Sequence, residues 1–503
     1  MPSVNPDRSE WDVIVIGGAA AGENAAQYAT QFSGLEAVIV DEGLIGGECS
    51  YWACMPSKAL LRPVETLAAA QDLPGVRERL REGGVDVAAV LARRDDVVKH
   101  LDDTSQVEWA IGAGIDIVRG RARLTGVKTV EVTDAGGRRR TITARHAVVL
   151  DTGSSALVPA IDGLAQGRPW TSRDATNVHE IPRRLLIIGG GVVACEAATW
   201  LHALGATELT IVQHGDRLLA RQEPFACDLV RDRLEADGVT VRTGRKAIRV
   251  QRPDPRDTGI GHIHGGPATV TLDDDTQVVV DEILVAAGRT PNSIDIGLES
   301  VGLHGGGFVE VDDQLTVTGV DGDWLYAVGD LCGRALLTHM GKYQARIAGE
   351  VIAARAAGTP LDTSELGRHT VVGDHSRIPQ VTFTDPEVGS VGLTEREALG
   401  AGLAVETVEY DLAAVAGAYV LRGHYVGRAK IVIDSERDVI VGATFVGTGV
   451  AELTHSATLA VVAQIPVRTL WHAVPSYPTV SEIWLRLLEE LDVSRQPDRL
   501  RHG

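Results

Sequence analysis

The chain is short of several things, and each shortage removes a class of function. No apolar run reaches the roughly 20 residues that cross a bilayer, so a membrane-spanning protein is not expected. The first residues, MPSVNPDRSEWD, have neither a basic stretch nor an apolar one, so no secretory leader is read there and a cytoplasmic location is expected. Five cysteines in 503 residues are too few for a secreted disulfide framework, and a cysteine pair in such a chain is expected to serve redox chemistry. Cations are also scarce, with 48 Lys and Arg against 68 Asp and Glu. The resulting net charge of −20 repels phosphate backbones and argues against a nucleic-acid partner.

Glycine, by contrast, is in excess: 56 residues, against about 7% in an average chain. It comes in short clusters, which indicates backbone approaching ligands. With 44% hydrophobic and 23% charged residues the chain can bury real cores, and at about 150 residues per domain its length suggests about three domains.

One local pattern occurs twice. Residues 11–41 and 184–213 each read as an apolar run, a glycine turn, a helical stretch and a second apolar run, which describes a βαβ unit. A single glycine turn is often only structural; two copies between strand and helix point to dinucleotide binding. The fingerprint needs a tight turn, then a small residue where backbone meets pyrophosphate, then close helix packing. In the first copy these are Gly17, Ala19 and Gly22, with a methyl at Ala19 where glycine is usual. Asp41, 19 residues after Gly22, is placed to accept from an adenosine ribose. In the second copy the positions are Gly189, Gly191 and Ala194. That copy ends in Gln213 and His214 in place of the acid that selects NAD, which leaves NAD and NADP both open and favours NADPH.

Between the copies lies GGECSYWACMPSKALL (46–61). In an unbroken helix Cys49 and Cys54 would be about 8.6 Å apart, beyond the roughly 6.8 Å a disulfide tolerates, so bonding them requires a distorted backbone. Pro56 favours the first turn of a new helix, which puts Cys54 at a helix N-terminus, where a thiolate is favoured. The competing reading is two unpaired core cysteines, which is also how Cys195, Cys227 and Cys332 are read.

The segment 46–61 resembles the redox signature of the pyridine nucleotide–disulfide oxidoreductases, which include dihydrolipoamide dehydrogenase, glutathione reductase and mercuric reductase. The similarity continues in order through VVLDTGS (148–154), GGGVVACE (189–196), VAAGRTPN (285–292), YAVGD (326–330), IPQVTFTDPEVGSVGLTE (378–395) and YPTVSE (477–482). The resemblance implies an α/β fold with two Rossmann-like domains and a C-terminal α+β dimerisation domain. FAD would be held by 1–157 with 284–357, NAD(P) by 158–283, and the dimer by 358–503. It implies FAD and NAD(P)H as cofactors, a homodimer, and a small-molecule electron acceptor. Cys49 would be the thiol that meets the acceptor and Cys54 the thiol facing the flavin. Lys58 would stand beside the flavin's reactive nitrogen with Glu196 as its partner, Asp330 would hold the flavin's ribityl chain, and Thr338 would approach its ring. Gly153 and Gly288 fall in its cofactor-binding motifs. Taken alone, Lys58 reads as a surface residue, Asp330 as a turn residue and Thr338 as a helix cap.

The sequence departs from this pattern near its end. The family's His-Pro-Thr, whose histidine protonates a departing thiol, is here Tyr477-Pro478-Thr479, with Glu482 retained. A free tyrosine, with a pKa of about 10, is a poor proton shuttle at neutral pH. Tyr477 is therefore expected to orient the acceptor, held by Glu482, with His472 the alternative acid. The function expected is reduction of a small disulfide or related sulfur compound. The alternative is a quinone or dye reductase that does not need the cysteine pair, and a third, non-enzymatic reading is a flavin-bound interaction protein.

Overall fold

The computed structural model describes residues 8–80 and 83–496 and divides into two compact units. The first comprises residues 1–56, 95–155 and 289–375. Its centre is a seven-stranded sheet. Strands Ile115–Arg119, Ala37–Asp41, Glu10–Ile16 and Arg139–Leu150 lie side by side in parallel, with Ile14 paired to both Val38 and Val148. Apolar runs such as Val13–Ile16 and Val38–Val40 carry no polar alternation because both faces are covered, as parallel strands require. The long strand Arg139–Leu150 is shared: its first half pairs with Thr129–Thr133, its last residues with Leu325–Ala327. Helix Ala20–Thr30 packs on one face, against helix Thr338–Ala356. The contact is backbone-close, since a Cβ at Gly349 would lie 2.7 Å from the amide nitrogen of Ala29.

The second unit comprises residues 57–94, 156–288 and 376–503. Strands Thr240–Thr243, Glu208–Gln213, Arg184–Ile188 and Glu282–Val285 form a four-stranded parallel sheet in that order. Helix Val192–Leu204 buries Ala194, Ala197, Ala198 and Leu201 beside that sheet's core. Leu60, Leu61 and Val90 share this cluster with Trp170 and Trp200, which is why residues 57–94 belong to this unit. A separate five-stranded antiparallel sheet runs from Pro379–Thr382 through Glu387–Gly392, Val439–Gly447 and Arg428–Asp434 to Val405–Asp411. Helices Val450–Val462 and Ile483–Arg495 complete its core around Phe445 and Ile431. The segment 253–267 is a loop, in which His262 stacks on His179 and the His264 ring contacts the Arg168 carbonyl. No helix among the described residues is long and apolar enough to cross a membrane.

Candidate active site

In the first unit the glycine turn closes on the strand beside it. Gly17 has φ +105°, and a Cβ there would lie 2.1 Å from the carbonyl oxygen of Asp151, so only glycine is accommodated. Gly22 is as tightly held, with a Cβ falling 2.1 Å from the oxygen of Gly17. Ala19 is extended and leads into helix Ala20–Thr30 without a side-chain cap, so the cap residue takes up none of the first-turn amides, of which Gly22 donates to Asp151. Its methyl points at Gly47, where any Cβ would come within 2.5 Å; a second glycine thus makes room for the methyl. Asp41 ends its strand and folds back on the turn, accepting from the amides of Gly18 and Gly43, each at 2.6 Å. Asp330 accepts from the Ser154 hydroxyl at 2.5 Å and lies 3.5 Å from the Arg289 guanidinium. Gly153, at φ +68°, accepts from the Asn292 amide through its carbonyl at 2.9 Å. Glycine turn, uncapped helix and paired acids together fit a dinucleotide.

The motifs assign no role to two carboxyl groups here, although Asp151 lies inside VVLDTGS (148–154). Asp151 is 4% exposed and accepts from the Gly22 amide at 2.5 Å. Burial pushes it well above the usual carboxylate range; that amide opposes the shift, and the charges of Asp330, Asp41 and Glu23 add to it. Glu23 is pushed up to about 7, again by burial, against the charge of Lys342. The signal was present in the sequence: an acid at the end of an apolar strand and another inside an alanine-rich helix.

The cysteines lie in the same unit. Helix Gly47–Tyr51 stops at Trp52 (φ −129°, ψ −7°) and a new helix, Cys54–Gln71, begins with Cys54. The break supplies the distortion that the spacing of the cysteines demands. Both are half-buried thiols. The Cys49 thiol is pushed up, first by its hydrogen bond to Cys54, then by burial and the charge on Cys54, while Thr338 and Lys342 act the other way. Cys54 Sγ lies 3.3 Å from Thr338 Oγ1. Thr338 begins helix Thr338–Ala356 but Leu337 is the residue before it that caps, so the hydroxyl serves the cysteine and not the helix end.

In the second unit the other glycine turn repeats the logic. Gly189 has φ +117°, and a Cβ would lie 2.2 Å from the oxygen of Ala286. Gly191 faces open space at the uncapped start of helix Val192–Leu204, and Ala194 is fully buried in that helix. Gln213 folds over Gly190 and Gly215, and its carbonyl accepts from the Arg245 amide at 3.1 Å; His214 is exposed. Gly288, at φ +136°, accepts from the Leu157 amide at 2.9 Å. Lys58 Nζ donates to Glu196 Oε2 at 2.8 Å and stands 4.6 Å from the Phe383 ring centroid. Glu196 Oε1 accepts from the Phe383 amide at 2.9 Å, so one carboxylate fixes both cation and ring. Phe383 lies inside 378–395 but carried no chemical signal of its own. Tyr477 is 75% exposed, and His472 is exposed too. Glu482 does not hold Tyr477: its Oε1 accepts from Arg486 at 2.7 Å and its Oε2 is buried without a partner. Among the described residues no group of three or more His, Cys, Asp or Glu is placed to hold a metal ion.

Residues 11–356 match the model of the pyridine nucleotide-disulphide oxidoreductase family. The chain belongs to this family. Residues 378–487 match the family's dimerisation domain. Over 487 residues the chain is 32% identical to a dihydrolipoyl dehydrogenase of Thermus scotoductus, covering 96% of this chain and 97% of the relative. It is 29% identical over 476 residues to a mercuric reductase of Staphylococcus aureus, covering 94% and 81%. In fold it is similar to the Cu(II) complex of the HOCl-induced flavoprotein disulfide reductase RclA of Escherichia coli, with a TM-score of 0.79 at 22% identity over 95% of this chain and 99% of the other. The protein is thus a flavoprotein oxidoreductase of the disulfide reductase type, with the FAD and NAD(P)H of its family. An interaction protein without catalysis is set aside.

Proposed function

We propose that the protein reduces a small disulfide or related sulfur compound through Cys49 and Cys54, in the cytoplasm and as a homodimer. The observation that carries the reading is the cysteine pair itself: adjacent thiols across a helix break, with Cys54 against Thr338 and Cys49 hydrogen-bonded to it. Bound FAD supplies an electron relay between the hydride of NAD(P)H and the cysteine pair.

Cys54 is assigned the flavin-facing role because it starts a helix, where the dipole favours its thiolate. Cys49, kept a thiol by its bond to Cys54, is assigned the exchange with the acceptor. Gly17, Ala19, Gly22, Asp41, Gly153, Asp330 and Thr338 are assigned to FAD, and Gly189, Gly191, Ala194, Gln213, His214 and Gly288 to NAD(P)H. Gln213 brings no charge to a ribose 2′-phosphate, which favours NADPH. Lys58, held by Glu196, is the fixed cation for a reduced flavin. Tyr477 is assigned to orient the acceptor; its exposure supports a surface completed by a second subunit, and the matched dimerisation domain supports the homodimer. The domain division proposed is 1–157 with 284–357, 158–283 and 358–503.

Turnover of Cys49→Ser with a disulfide and with a quinone separates the proposal from the quinone-reductase alternative. Disulfide reduction is expected to vanish while quinone reduction survives. Disulfide turnover that persists without Cys49 overturns the proposal. Sedimentation of the holoenzyme checks the dimer, which a fully active monomer contradicts.

A further inference from the structure

Glu23 lies in the first turn of helix Ala20–Thr30, 8% exposed, and its Oε1 has no hydrogen-bond partner. The cation whose charge reaches it is Lys342, and the same lysine acts on Cys49 in the direction of its thiolate. Helix geometry accounts for this double reach. Thr338 and Lys342 are one turn apart on helix Thr338–Ala356 and so share a face, and Thr338 touches Cys54. Gly341, next to Lys342, packs on helix Ala20–Thr30, its Cα so close that a Cβ would lie 3.4 Å from the methyl of Ala21. Lys342 therefore emerges where the two helices meet, one turn beyond the threonine that touches Cys54. It is exposed, and no salt bridge engages it among the described residues. In a chain of net charge −20, a cation with no salt bridge among the described residues, one turn along the helix from the threonine that touches Cys54, is a recognition element.

We propose that Lys342, backed by the Glu23 carboxyl, is the acceptor-recognition site of Cys49 and selects an anionic, carboxylate-bearing disulfide. This rests on the reading that Cys49 meets the acceptor. Cys49 gives up its proton to solvent and its sulfur attacks one sulfur of RS–SR; the Cys49–SR bond forms, the S–S bond of the acceptor breaks, and RS⁻ leaves with the electron pair and takes a proton from solvent. The Cys54 thiolate then attacks the Cys49 sulfur, closing the Cys49–Cys54 disulfide and releasing the second RS⁻. The two electrons come from NAD(P)H, so NAD(P)H, a proton and RSSR give NAD(P)⁺ and two RSH. Lys342 pairs with the carboxylate of R and transfers nothing. The groups that face Glu23 are Lys342 from helix Thr338–Ala356, Tyr51 from helix Gly47–Tyr51, and Asp151 after strand Arg139–Leu150. As pH rises and Glu23 ionises, it cancels the charge of Lys342, and selection for the anion weakens.

The test is kcat/KM of the holoenzyme for dithiodiglycolate, which carries two carboxylates, and for neutral hydroxyethyl disulfide. Lys342→Glu is expected to lower the anionic-to-neutral ratio by about tenfold or more, mainly through KM, the scale of one charge-assisted contact. Lys342→Arg is expected to keep most of the ratio, and Glu23→Gln to flatten its pH dependence. A ratio unchanged by Lys342→Glu overturns the inference and leaves the cysteine chemistry standing. If Cys49→Ser still turns over both disulfides, the assignment of Cys49 fails instead.

Discussion

Lys58 and Glu196 stand 138 positions apart in the chain and meet at 2.8 Å, with Glu196 also holding the backbone of Phe383 beneath the lysine. The lysine is about one-third exposed and its partner almost wholly buried. The carboxylate therefore positions the cation more than it stabilises the fold.

Glu196→Gln and Lys58→Met are both expected to slow flavin reduction by NAD(P)H by about 10-fold or more, the lower range for loss of a fixed charge at a reacting centre. Stopped-flow flavin absorbance reads the rate. Glu196→Gln is the milder of the two, because an amide oxygen can still receive the lysine. Equal rates for wild type and Lys58→Met count against the cation role.

Reduction of the holoenzyme is expected to give a long-wavelength absorbance band from the Cys54 thiolate next to oxidised flavin. The motive is Cys54 at the start of its helix, 3.3 Å from Thr338. Anaerobic titration of wild type and Cys54→Ser checks this. A band that persists in the mutant assigns the thiolate elsewhere.

Gly17→Ala and Gly191→Ala should differ. At Gly17 a methyl meets the carbonyl of Asp151 and φ is +105°, so the backbone must shift at a strain cost of about 1–2 kcal/mol or more. Lower Tm and loss of FAD are expected, read by calorimetry and flavin absorbance. Gly191 has φ −83° and open space around it, so alanine there should leave Tm unchanged and raise KM for NAD(P)H.

Glu23 carries a pH signature in stability. Its folded value of about 7 lies above the ordinary glutamate value of 4.5, so the native state binds the proton more tightly than the unfolded chain. Stability from this group is greatest below about 4.5, falls as pH rises toward 7, and is flat above that; the shift corresponds to about 3 kcal/mol. Urea denaturation of wild type and Glu23→Gln across that window is expected to show the mutant gaining on wild type as pH rises. Parallel curves refute the shift.

At the C-terminal motif, Tyr477→Phe and His472→Ala are each expected to lower acceptor turnover by less than about 10-fold with flavin reduction normal. A loss of about 10²-fold in His472→Ala is the scale of a missing general acid and would make His472 the proton donor. Acceptor half-reaction rates decide between them.

The sequence by itself determined what depends on short-range chemistry. Gly17 and Gly189 announce turns that no other residue can make, the apolar runs around them announce buried parallel strands, and Pro56 announces the helix that starts at Cys54. Ordered motifs along the chain were enough to identify the family. Tertiary structure alone decided which distant groups share a charge or a hydrogen bond. It took Glu482 to Arg486 and away from the expected partner Tyr477, added the Phe383 backbone to the Glu196 already expected beside Lys58, and pressed Asp151 onto Gly22. It also buried Glu23 within reach of Lys342, and so gave a carboxyl group with an ordinary sequence context an affinity for protons near neutrality. The division has one physical cause: backbone strain and periodicity are properties of neighbours in the chain, whereas desolvation and charge pairing are properties of neighbours in space.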